Sequence, residues 1–149
     1  MTTHRHSSSI RRNRANSTSK KERSGLTLGE AVDILKAEDV VPADDPGTCL
    51  TGCFAADLMS DVLAFARQDS LLVTGLTTDQ TVRTAAIMHL AAVVIVEGKR
   101  TASEMVEAAR EELIPIYRTP LSKYEACGLL LQAGLRPYRR GVPSPQQHR

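Results

Sequence analysis

The chain has 149 residues, enough for one ordinary domain and too few for two full-sized ones. Hydrophobic residues make up 42% of it and aromatic residues only 3%, with no tryptophan, so a core must consist of aliphatic side chains. The net charge is +2. Three cysteines are an odd number, which argues against a disulfide framework. The longest apolar run, residues 85–96, is too short to span a membrane.

The first 24 residues are basic and polar. They hold seven lysines and arginines against one acidic residue, and Ile10 is their only sizeable aliphatic residue. Such a segment cannot bury enough apolar surface to offset chain entropy, so residues 1–24 are predicted to form a disordered basic arm. They contain no apolar stretch typical of a secretory signal, which together with the cysteine content predicts a cytoplasmic protein.

The first helix is predicted to begin near Thr27. Glu30 follows three positions later, which is the spacing of a capping box. A turn is predicted at residues 44–47, because Asp, Pro and Gly cluster there, and residues 49–54 are predicted to be extended. The buried side of the helix is assigned to Val32, Ile34 and Leu35.

A second helix is predicted to begin at Asp57, whose carboxylate is a typical N-cap group. Asp61 lies one helical turn later, so the two carboxylates are expected to share a face. Capping by Asp57 and exposure of Asp61 to solvent are favoured over a cation site or acid–base chemistry. The inward side chains are assigned to Leu58, Met59, Val62 and Leu63.

Strands and helices alternate through the rest of the domain. Short apolar runs predict strands at residues 71–73, 92–96 and 114–117, of which the second is apolar throughout, as in a strand covered on both faces. The last helix is predicted to end at Gly134. Each strand is followed by candidate helix caps. They are Thr77, Thr78 or Asp79 after the first strand, Thr101 or Ser103 after the second, and either Thr119 before Pro120 or Ser122 with Glu125 after the third.

A second basic tail is predicted at residues 136–149, which contain three prolines, four arginines and no acidic residue. The domain between the tails, residues 25–135, carries 16 acidic and 8 basic residues and is therefore acidic. Its alternating strands and helices predict an α/β fold: a small layered domain with a short, mainly parallel sheet flanked by helices.

Several segments of this domain resemble the DRTGG domain family. The resemblance rests on residues 51–64 (TGCFAADLMSDVLA), on Gly75 and Asp79, on the apolar strand that ends at Gly98, and on residues 119–126 (TPLSKYEA). It covers nearly the whole of the predicted domain. The chain departs from the family pattern in two places: Leu76-Thr77 stand in place of the Asp-Arg pair, and Val96-Glu97-Gly98 in place of Thr-Gly-Gly.

Members of this family occur beside CBS domains, in some phosphotransacetylases, and as freestanding proteins near iron-only hydrogenase genes. This chain is most similar to the freestanding kind. The family fold is also similar to the non-catalytic N-terminal domain of HPr kinase. The resemblance therefore implies a regulatory or dimer-forming module and not an enzyme.

Three loops follow the predicted parallel strands and open helices. They are expected to meet at one edge of the sheet, with backbone N–H groups and helix dipoles directed outward, which suits an anion such as a nucleotide phosphate. Ordinary helix capping is the alternative explanation of their hydroxyl groups. The candidate ligand-binding residues are Gly75, Thr77, Thr78, Gly98, Lys99, Thr119 and Ser122.

Other chemistries are less well supported by the sequence. Residues 47–52 have the glycine spacing of a phosphate-binding loop, but Cys53-Phe54 follow where lysine and a hydroxyl residue are required. Side chains of the types that bind zinc are present, but no two of them have a spacing that would complete a four-ligand site together with Cys49 and Cys53. The cysteines are therefore interpreted as small core residues, and no metal or cofactor is predicted. These ligand types are Cys49, Cys53, Cys127 and His89.

The sequence therefore predicts a non-catalytic module that acts by binding, as a homodimer, to a partner protein or to a small nucleotide-like metabolite. The alternative is a nucleic-acid-associated protein that uses the two basic tails, since Lys and Arg neutralise phosphates. No aromatic residue lies among the charges of residues 1–24 to stack on bases, which makes this alternative the weaker one.

Overall fold

The computed structural model describes residues 26–137, which form a five-stranded sheet and five helices. The predicted arm, residues 1–24, and residues 138–149 of the predicted tail lie outside the described residues. The strands are β1 Glu38–Val41, β2 Cys53–Ala55, β3 Leu71–Thr74, β4 Ala92–Ile95 and β5 Ile116–Arg118. The helices are α1 Leu28–Ile34, α2 Met59–Phe65, α3 Asp79–Ile87, α4 Ser103–Glu112 and α5 Lys123–Gln132.

The strand order is β1-β5-β4-β3-β2, and strands β2 to β5 are parallel to their neighbours. Only β1 is antiparallel, where it pairs with β5. The predicted α/β class with a short, mainly parallel sheet is confirmed. No helix among residues 26–137 combines the length and the apolar character needed to cross a membrane.

The core has two halves, one on each face of the sheet. Successive side chains of a strand point to opposite faces, and β4 follows this rule with four fully buried residues. Val93 and Ile95 pack in a cluster with residues of α2, α3 and α4. Ala92 and Val94 pack in a second cluster with residues of α1 and α5. The helices thus form one layer of three and one layer of two.

Strand β1 was not predicted from the sequence. Glu38 and Asp39 are exposed, while Val40 and Val41 pack against the core, so the strand lacks the alternation of a half-buried strand. It is held instead by distant partners on β5. Glu38 Oε2 accepts from Arg118 Nη2 at 2.6 Å, and the Ala43 amide donates to the hydroxyl of Tyr117 at 3.0 Å.

Two helix faces differ from the prediction. The capping box of α1 is confirmed, but its buried side is Leu28, Ala31 and Leu35, whereas Val32 and Ile34 are only partly buried. Helix α2 buries Met59 and Val62 as predicted, yet Leu58 is 61% exposed and Leu63 39% exposed. Leu58 is the N-cap and lies outside the helix, and Leu63 is at the border of the face that Met59 and Val62 share, so four inward residues within six positions were too many.

Most predicted side-chain caps in the later helices are absent. The N-cap positions of α3 and α4 are Thr78 and Ala102, and neither makes a side-chain capping bond, so Thr101 and Ser103 do not cap α4 as predicted. Ser122 caps α5 in a full capping box with Glu125, and the competing start at Thr119-Pro120 is wrong. The predicted stop is confirmed, because Gly134 adopts a φ of 101° just after the helix.

Candidate functional site

The three loops predicted to gather do lie together at the carboxyl edge of the sheet. The Gly98 amide donates to the Thr119 carbonyl at 2.8 Å, and the Ala102 amide donates to the Thr77 carbonyl at 3.3 Å. The ammonium group of Lys99 donates to the Gly75 carbonyl at 3.4 Å. Neighbouring parallel strands end at the same edge, so the loops after β3, β4 and β5 are brought into direct contact.

The hydroxyl groups among the predicted site residues divide into two kinds. Thr119 is fully buried, and its hydroxyl donates to the Leu35 carbonyl at 2.7 Å and accepts from the Leu121 amide at 3.2 Å. Its side chain therefore connects two backbone segments and does not face solvent. Ser122 is committed to capping α5, whereas Thr78 is exposed at the start of α3 with no side-chain cap bond.

Asp57 contributes a fourth loop to this edge, and the prediction that it caps α2 is wrong. Its Oδ1 accepts from the Gly75 amide at 2.8 Å and from the Thr74 hydroxyl at 3.0 Å. Its Oδ2 forms an ion pair with Lys123 Nζ at 2.7 Å. Asp57 therefore fixes the loop after β3, and it does not share a helix face with Asp61, since it lies before α2.

The environment of Asp57 favours its charged form. Partial burial would by itself raise the pKa of this carboxyl, but the amide of Gly75, the ammonium of Lys123 and the hydroxyl of Thr74 together outweigh that cost and lower the pKa to about 2. The carboxylate is therefore ionised and neutralised by Lys123 over the whole physiological range.

A cavity of about 520 Å³ opens beside Gly98 at the same edge. Glu38 is paired with Arg118 in its wall, but the side chains of Lys36 and Arg100 form no ion pair with any residue between 26 and 137. Three cations thus face one carboxylate. The lining residues are Lys36, Glu38, Gly98, Arg100, Arg118 and Pro120. This group is called the basic cavity below.

Most residues of the basic cavity were not predicted from the sequence. Lys36 follows α1 with a φ of 51° and reaches the edge because the unpredicted strand β1 begins there, whereas Arg118 reaches it as the last residue of β5. Arg100 directly follows the predicted residues Gly98 and Lys99. The position of a charge just after a buried parallel strand was the one signal that could have included it.

The predicted metal-ligand types do not assemble into a cluster. Within the described part of the chain, no group of three or more His, Cys, Asp and Glu side chains is placed to hold a metal ion. Cys49, Cys53 and Cys127 are all free thiols. The last two lie on β2 and α5 in the wall of one cavity, close enough for each thiol to shift the pKa of the other.

We expect replacements of Asp57 to separate its charge from its hydrogen bonds. Asp57→Asn keeps an acceptor for Gly75 and Thr74 but loses the ion pair, which is 51% exposed on the aspartate side, so the free energy of unfolding should fall by at most about 1 kcal/mol. Asp57→Ala also leaves the Gly75 amide without its acceptor and should cost about 1–2 kcal/mol. Chemical denaturation at neutral pH measures both.

The pH dependence provides the control for this prediction. The folded pKa of about 2 lies below the ordinary value of 3.8, so the stabilisation by the charge is complete above about pH 4 and is lost as the pH falls through 2. The stability difference between the native chain and Asp57→Asn should therefore shrink below pH 4. A difference that is constant down to pH 2 would contradict a role for the charge.

The comparisons with known proteins bear on the fold. The sequence matches no protein-family model and no curated protein. The structure is similar to the crystal structure of the CBS and DRTGG domains of the regulatory region of Clostridium perfringens pyrophosphatase, complexed with its activator, diadenosine tetraphosphate. The TM-score is 0.62 at 16% sequence identity, over 83% of this chain and 54% of that one. This chain thus spans about half the length of that regulatory region and has a DRTGG-type α/β fold.

Proposed function

We propose that this protein is a non-catalytic regulatory module that binds a small nucleotide-like anion in the basic cavity. The observation that carries the proposal is the gathering of unpaired cations beside the loops that follow β4 and β5. Lys36 and Arg100 line a cavity with Gly98 and have no carboxylate partner among residues 26–137. Such cations recognise phosphate groups by charge-assisted hydrogen bonds.

The distribution of charge over the domain supports the same site. Residues 25–135 contain 8 basic residues against 16 acidic ones, so a cluster of cations is not expected by chance. Five of those eight lie at the carboxyl edge: Lys36, Lys99, Arg100, Arg118 and Lys123. An otherwise acidic surface repels anions, which directs an anionic ligand to this edge.

The size of the cavity and the structural neighbour are consistent with a nucleotide. A volume of about 520 Å³ lies within the usual range of small-molecule sites. The regulatory region with a DRTGG domain in the C. perfringens pyrophosphatase is complexed with a dinucleotide that carries a chain of phosphates. We propose that this chain recognises a ligand of the same chemical class.

Thermal unfolding of the purified chain tests the proposal. Adenosine, ATP, diadenosine tetraphosphate and inorganic triphosphate are added separately at millimolar concentration. A ligand present at about a hundred times its Kd stabilises the folded state by about 2.7 kcal/mol. We expect ATP or diadenosine tetraphosphate to raise the Tm and adenosine to leave it unchanged. If neither phosphate-bearing nucleotide raises the Tm, the module does not sense nucleotides.

We also propose that the module works in the cytoplasm as a homodimer. Apolar side chains at the outer edge of the sheet support this: Leu58 and Leu131 are each 61% exposed, and Phe65 is 37% exposed. The alternative, association with nucleic acid through the basic tails, is favoured only by the segregation of charge in the sequence. Binding to DNA or RNA that persists without residues 1–24 and 136–149 would contradict that alternative.

A further inference from the structure

Cys53 and Cys127 form a thiol pair in the wall of an apolar cavity of about 480 Å³. The cavity lies beside the outermost strand β2, between α2 and α5, and Pro137, from the segment that pairs with Cys53, also lines it. Phe54 and Phe65 line it from the α2 side, and Leu130 and Leu131 line it from α5. Both sulfurs are partly buried, and neither belongs to the basic cavity.

The two thiols have different acidities. The hydrogen bond from Cys53 lowers the pKa of Cys127 to about 7, and the charge of Lys123, one helical turn earlier in α5, acts in the same direction against the cost of burial. The same hydrogen bond, together with burial, raises the pKa of Cys53. Cys127 is therefore the more acidic of the two thiols and the one that ionises first.

We propose that Cys53 and Cys127 are a peroxide-responsive thiol pair, with Cys127 the attacking group and Cys53 the resolving group, that closes to an intrachain disulfide. Both thiols line one cavity from β2 and α5 and each shifts the pKa of the other, so side-chain movement can bring the sulfurs to the S–S bond length of about 2.05 Å. A reactive cysteine beside a second, resolving cysteine is the arrangement found in redox-sensing proteins. Both thiols pack against the edge of the core cluster and are only partly buried, so the cavity gives a small oxidant access to them.

The reaction uses one peroxide molecule. The Cys127 sulfur attacks a peroxide oxygen, the O–O bond breaks, and the displaced hydroxide takes up a proton and leaves as water. Cys127 is then a sulfenic acid. The Cys53 sulfur attacks the sulfenic sulfur, the S–O bond breaks, and the hydroxyl group leaves as a second water with the proton of Cys53. The two thiols together lose two electrons and two protons, and the peroxide is reduced to two waters.

Cys49 provides an internal control, because it is also partly buried and free but lies outside the apolar cavity. The full chain is reduced, treated with a small excess of hydrogen peroxide, alkylated and mapped by mass spectrometry. We expect the number of free thiols to fall from three to one, with Cys53 and Cys127 in one disulfide-linked peptide pair and Cys49 alkylated.

Three variants identify the roles of the sulfurs. Cys49→Ser should form the disulfide as the native chain does. Cys53→Ser should accumulate a sulfenic acid at Cys127 that dimedone traps, and Cys127→Ser should yield neither product. A disulfide that includes Cys49, peroxide modification spread evenly over the three thiols, or bridging only between separate chains would each overturn the proposal. Mapping of the native chain decides the matter even if a variant fails to fold.

Discussion

The double variant Lys36→Gln/Arg100→Gln is expected to bind a nucleotide polyphosphate about a hundredfold more weakly than the native chain. Each cation lines the basic cavity and is free of ion pairs within residues 26–137, so it can donate fully to a phosphate. A hydrogen bond to a charged group contributes about 1.5 kcal/mol, which corresponds to roughly tenfold in affinity for each side chain removed. Isothermal titration calorimetry with the nucleotide that gives the largest rise in Tm measures the loss.

Arg110→Gln is the matched control for each single replacement, Lys36→Gln or Arg100→Gln, because all three remove one positive charge. Its exposed side chain is in the last turn of α4, and that turn lies at the opposite edge of the sheet from the basic cavity. We expect its affinity to stay close to that of the native chain. All of these variants should keep their free energy of unfolding within about 0.5 kcal/mol, because all three replaced side chains are on the surface. Equal losses of affinity in Arg110→Gln and in either single variant, Lys36→Gln or Arg100→Gln, would mean that net charge matters and the cavity does not.

The ionic strength provides an independent measurement. Ion pairs between exposed charges weaken when salt shortens the Debye length from about 10 Å at 0.1 M to about 3 Å at 1 M. Binding to the native chain should therefore weaken as salt is added, and the residual binding of the double variant should depend on salt less steeply. The same salt dependence in both proteins would place the phosphates of the ligand away from Lys36 and Arg100.

The central strands could be predicted from the sequence because their own residues specify them. All four residues of β3 and of β4 are buried, so continuous apolar runs mark both strands without reference to any partner. Strand β1 has no such signal, since half of it is charged and exposed. It exists because Arg118 pairs with Glu38 and Tyr117 binds the backbone at Ala43, contacts between residues more than 70 positions apart.

The candidate site was predictable only as far as the parallel sheet determines it. The rule that parallel strands end at one edge correctly brought together the loops of Gly75, Gly98 and Thr119. It could not reveal that Lys36 enters from the other side of β5, because that depends on β1. Nor could it show that Asp57 turns away from its own helix to hold Gly75, since a capping role is equally compatible with the local sequence.

The thiol pair illustrates the same limit. Cys53 and Cys127 are 74 positions apart, and neither has a neighbouring cysteine whose spacing would indicate a redox or metal motif except Cys49, which turned out not to be the partner. Their contact follows from the packing of α5 against β2. Spacing rules recognise pairs within one element, whereas this pair joins two elements that only the tertiary fold places side by side.

Thr119→Val is expected to lower the free energy of unfolding by about 2 kcal/mol and the Tm by roughly 10 °C. The replacement keeps the shape of the side chain but removes a hydroxyl that is fully buried. The Leu35 carbonyl would lose its donor at 2.7 Å and the Leu121 amide its acceptor at 3.2 Å. Buried polar groups left without partners cost about 1–3 kcal/mol, which is more than any single exposed contact at this edge contributes. Urea denaturation followed by circular dichroism measures the change.

Thr119→Ser is the matched control, because it keeps the hydroxyl and loses only a methyl group, at a cost below about 1 kcal/mol. The pair of variants also decides between two roles for this residue. If the Thr119 hydroxyl contacted the ligand, as the sequence predicts, Thr119→Val would weaken nucleotide binding and leave stability nearly unchanged. The structure favours the opposite result, since the hydroxyl ties the end of α1 to the loop after β5 and so holds Lys36 beside the basic cavity. A large loss of stability in Thr119→Val, absent from Thr119→Ser, would show that the Thr119 hydroxyl stabilises the backbone around the site.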